Sequence, residues 1–202
     1  MDLSEQLRIL QDAQGDPVKL ALATVDLAYP ELPDSDRDLL RAALGAAAIP
    51  HWCDESILAF LLEIPKQESD ARLARLRKLS IIEPFPARGD TAVNVHESAR
   101  LAMRKQMAAD EQARFTKLAA QATAYFAHDP TGAGRVESIY HLLCCDPERG
   151  SNDLERLCRN WSSMHPEDRY ALAAAVTELE DSHLLNGRAR VWGDGAPESV
   201  ES

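Results

Sequence analysis

The chain has 202 residues, 45% of them hydrophobic, which suffices for the core of one large domain or two small ones and sets disorder aside as the default. A formal net charge of -11 would repel a phosphate backbone, although it leaves room for a local basic surface. No run approaches the roughly 20 apolar residues of a membrane helix, and Met1 to Leu10 lacks the basic start and apolar core of a signal peptide, so no membrane partner and a cytoplasmic location are expected.

Leu and Ala dominate the apolar set and aromatics make up only 5%, which favours helices, because Ala and straight-chain residues lose little side-chain freedom there. Leu3, Leu7 and Leu10 share one face of a first helix. Gly15-Asp16-Pro17 ends it and starts a second, with Asp16 as N-cap and Pro17 at the first helical position. That second helix carries Val18, Leu20, Leu22, Val25 and Leu27, and Pro30 and Pro33 close the hairpin. Asp34 is expected to cap a third helix, 36–48, with Leu39, Leu40 and Leu44 as its buried stripe.

After Ile49-Pro50, Asp54 begins a short apolar helix with Ile57, Leu58, Leu61, Leu62 and Ile64, which belongs in the core. Ser69 is expected to cap the next, whose Leu73, Leu76 and Leu79 lie on one side. The period then changes. Ser80 to Phe85 and Thr91 to Val95 are β-prone runs around Ala87-Arg88-Gly89-Asp90, where Gly89 can take the positive φ of a tight turn. Three helices followed by a small hairpin is the winged-helix order. His96 and Glu97 return the chain to helix, with Ala99, Met103 and Met107 on one face. Further helices are expected over 110–126, 135–145, 152–163 and 166–185, broken at Asp129-Pro130-Thr131-Gly132, at Asp146-Pro147 with Gly150, and at His165-Pro166.

The fold expected is therefore mainly α: a helical hairpin over 1–33, a winged-helix domain over 34–108, a helical, TPR-like bundle over 109–192 and a loose tail over 193–202.

Few residues offer chemistry. Thr131-Gly132-Ala133-Gly134-Arg135 has the glycines of a phosphate cradle without its Lys and hydroxyl, so a helix-to-helix turn is expected there. His141, Cys144 and Cys145, with His51 and Cys53 elsewhere, lack the closely spaced ligand pairs of a structural zinc site. Cys144 or Cys145 with His141 would make a nucleophile pair, but no third group is placed to orient it. Reduced structural cysteines, no metal, no cofactor and no catalytic site are expected, and the carboxylates show no isolated pair for acid/base work. The helix from Ser69 to Leu79 holds the place of a recognition helix and carries Arg72, Arg75, Arg77 and Lys78, with Arg88 as the basic tip of the wing. These five residues make the case for DNA, against the acidic whole and Glu68 and Asp70 on the same helix.

Leu39-Leu40-Arg41-Ala42-Ala43-Leu44, then Ile81-Ile82-Glu83, then Val95-His96-Glu97 leading through Ala99-Arg100-Leu101 resemble the winged-helix region of STAND-type regulatory NTPases, the group that includes the NB-ARC proteins. Ile139-Tyr140-His141-Leu142-Leu143 followed by Asp146-Pro147-Glu148-Arg149 is similar to the helical, TPR-like segment that follows in bacterial members. In NB-ARC proteins a Met-His-Asp tripeptide brings its His to the phosphate of bound ADP. The resemblance thus implies a nucleotide-phosphate contact for His96, although Val95 and Glu97 depart from the tripeptide. No Walker A, Walker B or parallel-sheet pattern is present, so ATP hydrolysis by this chain alone is not expected. The expectation is a non-catalytic regulatory or protein-interaction module docking to another protein or to a missing NTPase domain, with a winged-helix DNA-binding transcriptional regulator as the alternative.

Overall fold

The computed structural model of the chain describes residues 2–159, 164–182 and 184. The tail expected over 193–202 lies outside them, as do 160–163 and 185 at the ends of two expected helices. Among the described residues the protein is mainly helical, with ten helices and one two-stranded antiparallel sheet.

Helix α1 (Leu3–Asp12) is capped by Asp2, whose carboxylate accepts the Glu5 N–H at 2.8 Å. Helix α2 (Pro17–Ala28) starts as expected, Asp16 accepting from Val18 and Lys19 with Pro17 in the first turn. Its buried face is Ala21, Ala23 and Val25, while Leu20 stays exposed. Helix α3 (Asp34–Ala47) corrects one expectation. Pro33 holds the cap position without a side-chain bond, and Asp34 is the first helical residue, paired with Arg37. Its buried ridge is Leu40, Ala43, Leu44 and Ala47 at i, i+3, i+4 and i+7, which puts Leu39 outside the stripe and in solvent.

Helix α4 (Glu55–Leu62) begins at Asp54, whose carboxylate accepts from Ser56 and Ile57 at 2.8 Å each. Ile57, Leu58 and Leu61 are buried, Leu62 and Ile64 only partly, and Glu63 ends the helix at a left-handed φ of 55°. Helix α5 (Lys66–Leu76) starts before Ser69, which is therefore not its cap. The Ser69 hydroxyl is buried and donates to the Glu55 carbonyl at 2.7 Å, pinning α5 to α4. Leu73, Leu76 and Leu79 are buried, as their spacing requires.

Strands β1 (Ile82–Pro84) and β2 (Val93–Val95) are shorter than the β-prone runs and pair antiparallel, Ile82 opposite Val95. A 3-10 turn at Pro86–Arg88 leads into Gly89 at φ +114°, a conformation that favours glycine. A further rung was not legible: Cys53, between α3 and α4, exchanges both backbone hydrogen bonds with Val93, at 2.7 and 2.8 Å.

Helix α6 (Glu97–Asp110) buries Ala99, Met103 and Met107 as expected, together with Arg100 and Arg104. Helices α7 (Gln112–Phe126), α8 (Gly132–Cys145), α9 (Pro147–Arg159) and α10 (Pro166–Asp181) follow, with α8 packed against the other three and α7 against α4 and α6. Gly150 is no helix break. It lies inside α9, where a Cβ would come within 2.8 Å of the Leu143 backbone, so its lack of a side chain sets how closely α9 approaches α8. Gly150→Ala is expected to lower the unfolding free energy by about 1–3 kcal/mol through overpacking, read as a lower urea midpoint with an unchanged slope. One hydrophobic cluster runs from Ala21 on α2 to Leu184 and crosses the boundary expected at 108 without a gap.

Candidate functional site

The apolar ridge of α6 carries two arginines in register with it. Arg100 and Arg104 sit one residue beyond Ala99 and Met103, so the turn that buries the aliphatic side chains also turns both guanidinium groups inward. Arg104 is 1% exposed. Its Nε donates to the Ala48 carbonyl at 2.8 Å and its Nη2 to the Ile49 carbonyl, which places a cation on the C-terminal end of α3. Its Nη1 donates to Tyr140 Oη and, at 2.6 Å, to Glu178 Oε1 on α10. Arg100 Nη2 reaches Glu178 Oε2 at 2.7 Å, and the Tyr140 hydroxyl donates to Glu178 Oε1 at 2.7 Å. A second carboxylate, Glu137 on α8, accepts from His51 Nδ1 at 2.6 Å, from the His51 backbone at 3.2 Å and from His141 Nε2 at 3.2 Å. His51 Nε2 lies 3.4 Å from Glu178 Oε1, so the imidazole bridges both carboxylates.

The surroundings set the protonation states. Burial would raise Glu137, but the His51 charge and the hydrogen bonds from both histidines hold it well below the usual carboxylate range. Glu178 is likewise depressed: burial works against it, and His51 with the two arginines overcomes burial. Burial alone would lower His51, yet the Glu137 charge and the bonds to both glutamates raise it. His141 is fully enclosed, and burial brings it down to about 4.

Of these groups His51, Glu137 and Glu178 line a groove of about 780 Å³. Its sides are α6, through Leu101, Ala102 and Lys105, and α10, through Ala171, Ala174 and Ala175; the α3–α4 loop adds Trp52 and the hairpin adds Phe85 and Arg88. Glu97 and Asp181 stand on its rim beside Arg88 and Lys105, which leaves the rim without excess charge. The carboxylates in its wall already have their donors, so an incoming face meets mainly apolar surface there.

Of the residues singled out by sequence, His51 and His141 meet at Glu137 and Arg88 lines the groove, while the others do not converge here. His96 is exposed at the start of α6, its backbone N–H on the Ile81 carbonyl and its Nδ1 3.1 Å from Ser98 Oγ. Arg72 pairs with Glu68, Arg77 donates to the Thr91 carbonyl, and the Arg88 guanidinium lies 5.7 Å from the centre of the Trp52 ring. Arg75 and Lys78 are exposed and make no ion pair among the described residues. The glycines at the start of α8 face carboxylates: a Cβ on Gly132 would strike Asp168, and one on Gly134 would strike Asp129. That helix end therefore already carries anions. Burial pushes the Cys144 thiol up to about 12, so it is held protonated. Among the described residues no group of three His, Cys, Asp or Glu is arranged to hold a metal.

Comparison with family models, curated proteins and solved structures finds no match to this chain. Sequence reasoning singled out His51 and His141 only as metal ligands or nucleophile partners, and it passed over Arg100, Arg104, Glu137 and Glu178. The available signal was positional: two arginines at i and i+4 within an apolar ridge, and Glu137 one turn before His141.

Proposed function

We propose that the chain is a non-catalytic regulatory or protein-interaction module: a winged-helix unit over 34–108 joined to a helical arm, of the kind found in STAND-type signalling proteins. The order α3, Cys53 rung, α4, α5, β1, turn, β2 supports the winged-helix reading, because the rung supplies a short strand between the first two helices. The observation that carries the functional reading is the groove between α6 and α10. It is apolar, and the carboxylates in its wall already pair with the protein's own side chains, which leaves apolar contact and shape as the means of binding there, as at the core of a protein interface. The partner is another protein or an NTPase domain, and the surface is used as it stands, without a cofactor.

Ala171 and Ala174 are exposed on the groove wall, so Ala171→Arg with Ala174→Arg fills the groove without disturbing the core. Affinity capture from the native host with the full chain is expected to recover a protein partner that this double variant loses. Recovery of the same partner by the variant, or of nucleic acid alone, would sink the reading.

The second reading, a DNA-binding regulator, rests on Arg75 and Lys78, which are exposed and make no ion pair among the described residues. With Arg72, Arg77 and Arg88 held by Glu68, Thr91 and Trp52, two of the five candidate cations, Arg75 and Lys78, are left for phosphates among the described residues. Arg75→Glu with Lys78→Glu is expected to leave duplex retention and its salt dependence unchanged in a gel-shift assay. A loss of retention confined to this variant would favour DNA instead.

A further inference from the structure

We propose that residues 186–192 of this same chain occupy the groove between α6 and α10, with the Trp192 indole as anchor, and that a docking partner must displace them. The proposal deepens the reading of that groove as a docking surface and rests on it.

The course of the chain selects the occupant. Asp181 and Ser182, at the C-terminal end of α10, themselves line the groove. Two residues on, the Leu184 N–H donates to the Leu179 carbonyl at 3.2 Å, while the Ser182 N–H donates to the Glu178 carbonyl at 3.0 Å. A bond from the sixth residue back to the first folds a chain over the end of its helix instead of letting it run on along the axis. Leu179 and Leu184 are both buried in the core, which fixes that turn. Leu184 is the last described residue, so the residues after it begin beside one end of the groove.

Length permits the return. The α10 wall from Ala171 to Ser182 rises about 16 Å. The eight residues 185–192 span up to about 26 Å when extended. Trp192 can therefore reach any level of that wall.

Side-chain size agrees. Ala102, Ala171, Ala174 and Ala175 keep the slot open between α6 and α10, and the half-buried Trp52 and Phe85 add aromatic surface. From 186 to 199 the large apolar residues are Val191 and Trp192, side by side between Gly187 and Gly193. An indole brings roughly 150–250 Å² of surface to such a slot, and Trp is enriched among interface anchors. Charge does not choose between occupants, because the rim is mixed and the segment carries Arg188 and Arg190 ahead of Asp194. Tethering does. A segment joined to α10 by a short linker faces the groove at an effective concentration on the order of 1 mM. With a dissociation constant on the order of 100 µM for so short a contact, the segment fills the groove about nine-tenths of the time.

Chymotrypsin cleavage after Trp192, which releases 193–202 and is followed by mass, tests the proposal on the full chain. The wild type is expected to be cut about tenfold more slowly than the Ala171→Arg, Ala174→Arg double variant, at about 1 µM and about 100 µM protein alike. A fluorescein-labelled peptide of residues 186–195 gives a second readout. It is expected to bind Trp192→Asp, whose groove is open, about tenfold more tightly than the wild type, and not to bind the double variant. Circular dichroism confirms that each variant stays folded. Equal cleavage of wild type and double variant overturns the proposal, as does a peptide that does not favour Trp192→Asp over the wild type. Protection that grows with concentration places the segment in a second copy's groove and overturns it too. The docking reading fails on a different observation, a partner still captured by the double variant, so the two failures are distinguishable.

Discussion

Arg104→Ala is expected to lower the unfolding free energy by about 3–5 kcal/mol, the range for removing one member of a buried ion pair. The loss has three sources. Two carbonyls at the end of α3 lose their donors, Tyr140 loses a partner, and Glu178 keeps Arg100 but loses its shorter cationic contact. For a domain of this size the melting temperature should fall by roughly 6–20 °C. Arg104→Lys is expected to recover little of it, because one ammonium cannot reach the α3 carbonyls and Glu178 together as the guanidinium fork does. Urea denaturation at pH 7 checks both variants; a loss below about 1 kcal/mol for Arg104→Ala would show that the centre is packing alone, on the scale of an exposed pair.

The second large effect is a stability profile with opposed limbs set by two histidines on one carboxylate. His141 has its pKa lowered from 6.5 to about 4 by burial, so between those values the unfolded chain binds more protons than the folded one and stability falls as pH falls. The limb is worth about 3 kcal/mol. The depressed Glu137 and Glu178 act in the same direction below the unfolded carboxylate range, where protonation on unfolding draws the chain open. His51 works in reverse. Its raised pKa means that its contribution is full below 6.5 and is lost as pH climbs through the folded value. His141→Gln keeps a donor for Glu137 and removes the titration, so it should flatten the acid limb between pH 6.5 and 4; His51→Gln should flatten the alkaline limb. Denaturation midpoints measured across pH 4–9 would refute the assignment if either variant kept the wild-type slope.

Most of the helices were legible because their signals are local. Asp16-Pro17 and Asp54 are caps that act within three residues, and the Leu73/Leu76/Leu79 stripe needs only helical geometry to find the core. Ser69 misled for the same reason: its hydroxyl satisfies a carbonyl 14 residues away, which a local capping rule cannot see. Gly150 misled because a glycine that breaks a helix and one that admits a neighbouring backbone look alike in sequence. The Cys53 rung is a single residue and has no period to detect. The charged centre was least legible of all. Arg104 and Glu178 are 74 positions apart, and each alone reads as a solvated residue on an amphipathic helix. The basic helix expected over Ser69 to Leu79 runs instead from Lys66 to Leu76, which leaves Arg77 and Lys78 beyond its end, and Glu68 and the Thr91 carbonyl take Arg72 and Arg77.

That long sequence separation has a consequence for how the protein is made. At about 5–20 residues per second, roughly 4–15 s pass on the ribosome between the addition of Arg104 and that of Glu178. Throughout that interval the emerging chain holds a guanidinium whose carboxylate does not yet exist, and water must solvate it. The segment up to α6 can form helices during synthesis, but its interior cannot close around an uncompensated charge. Completion therefore waits for α10, and a stalled or shortened nascent chain would present the half-closed core to chaperones and proteases.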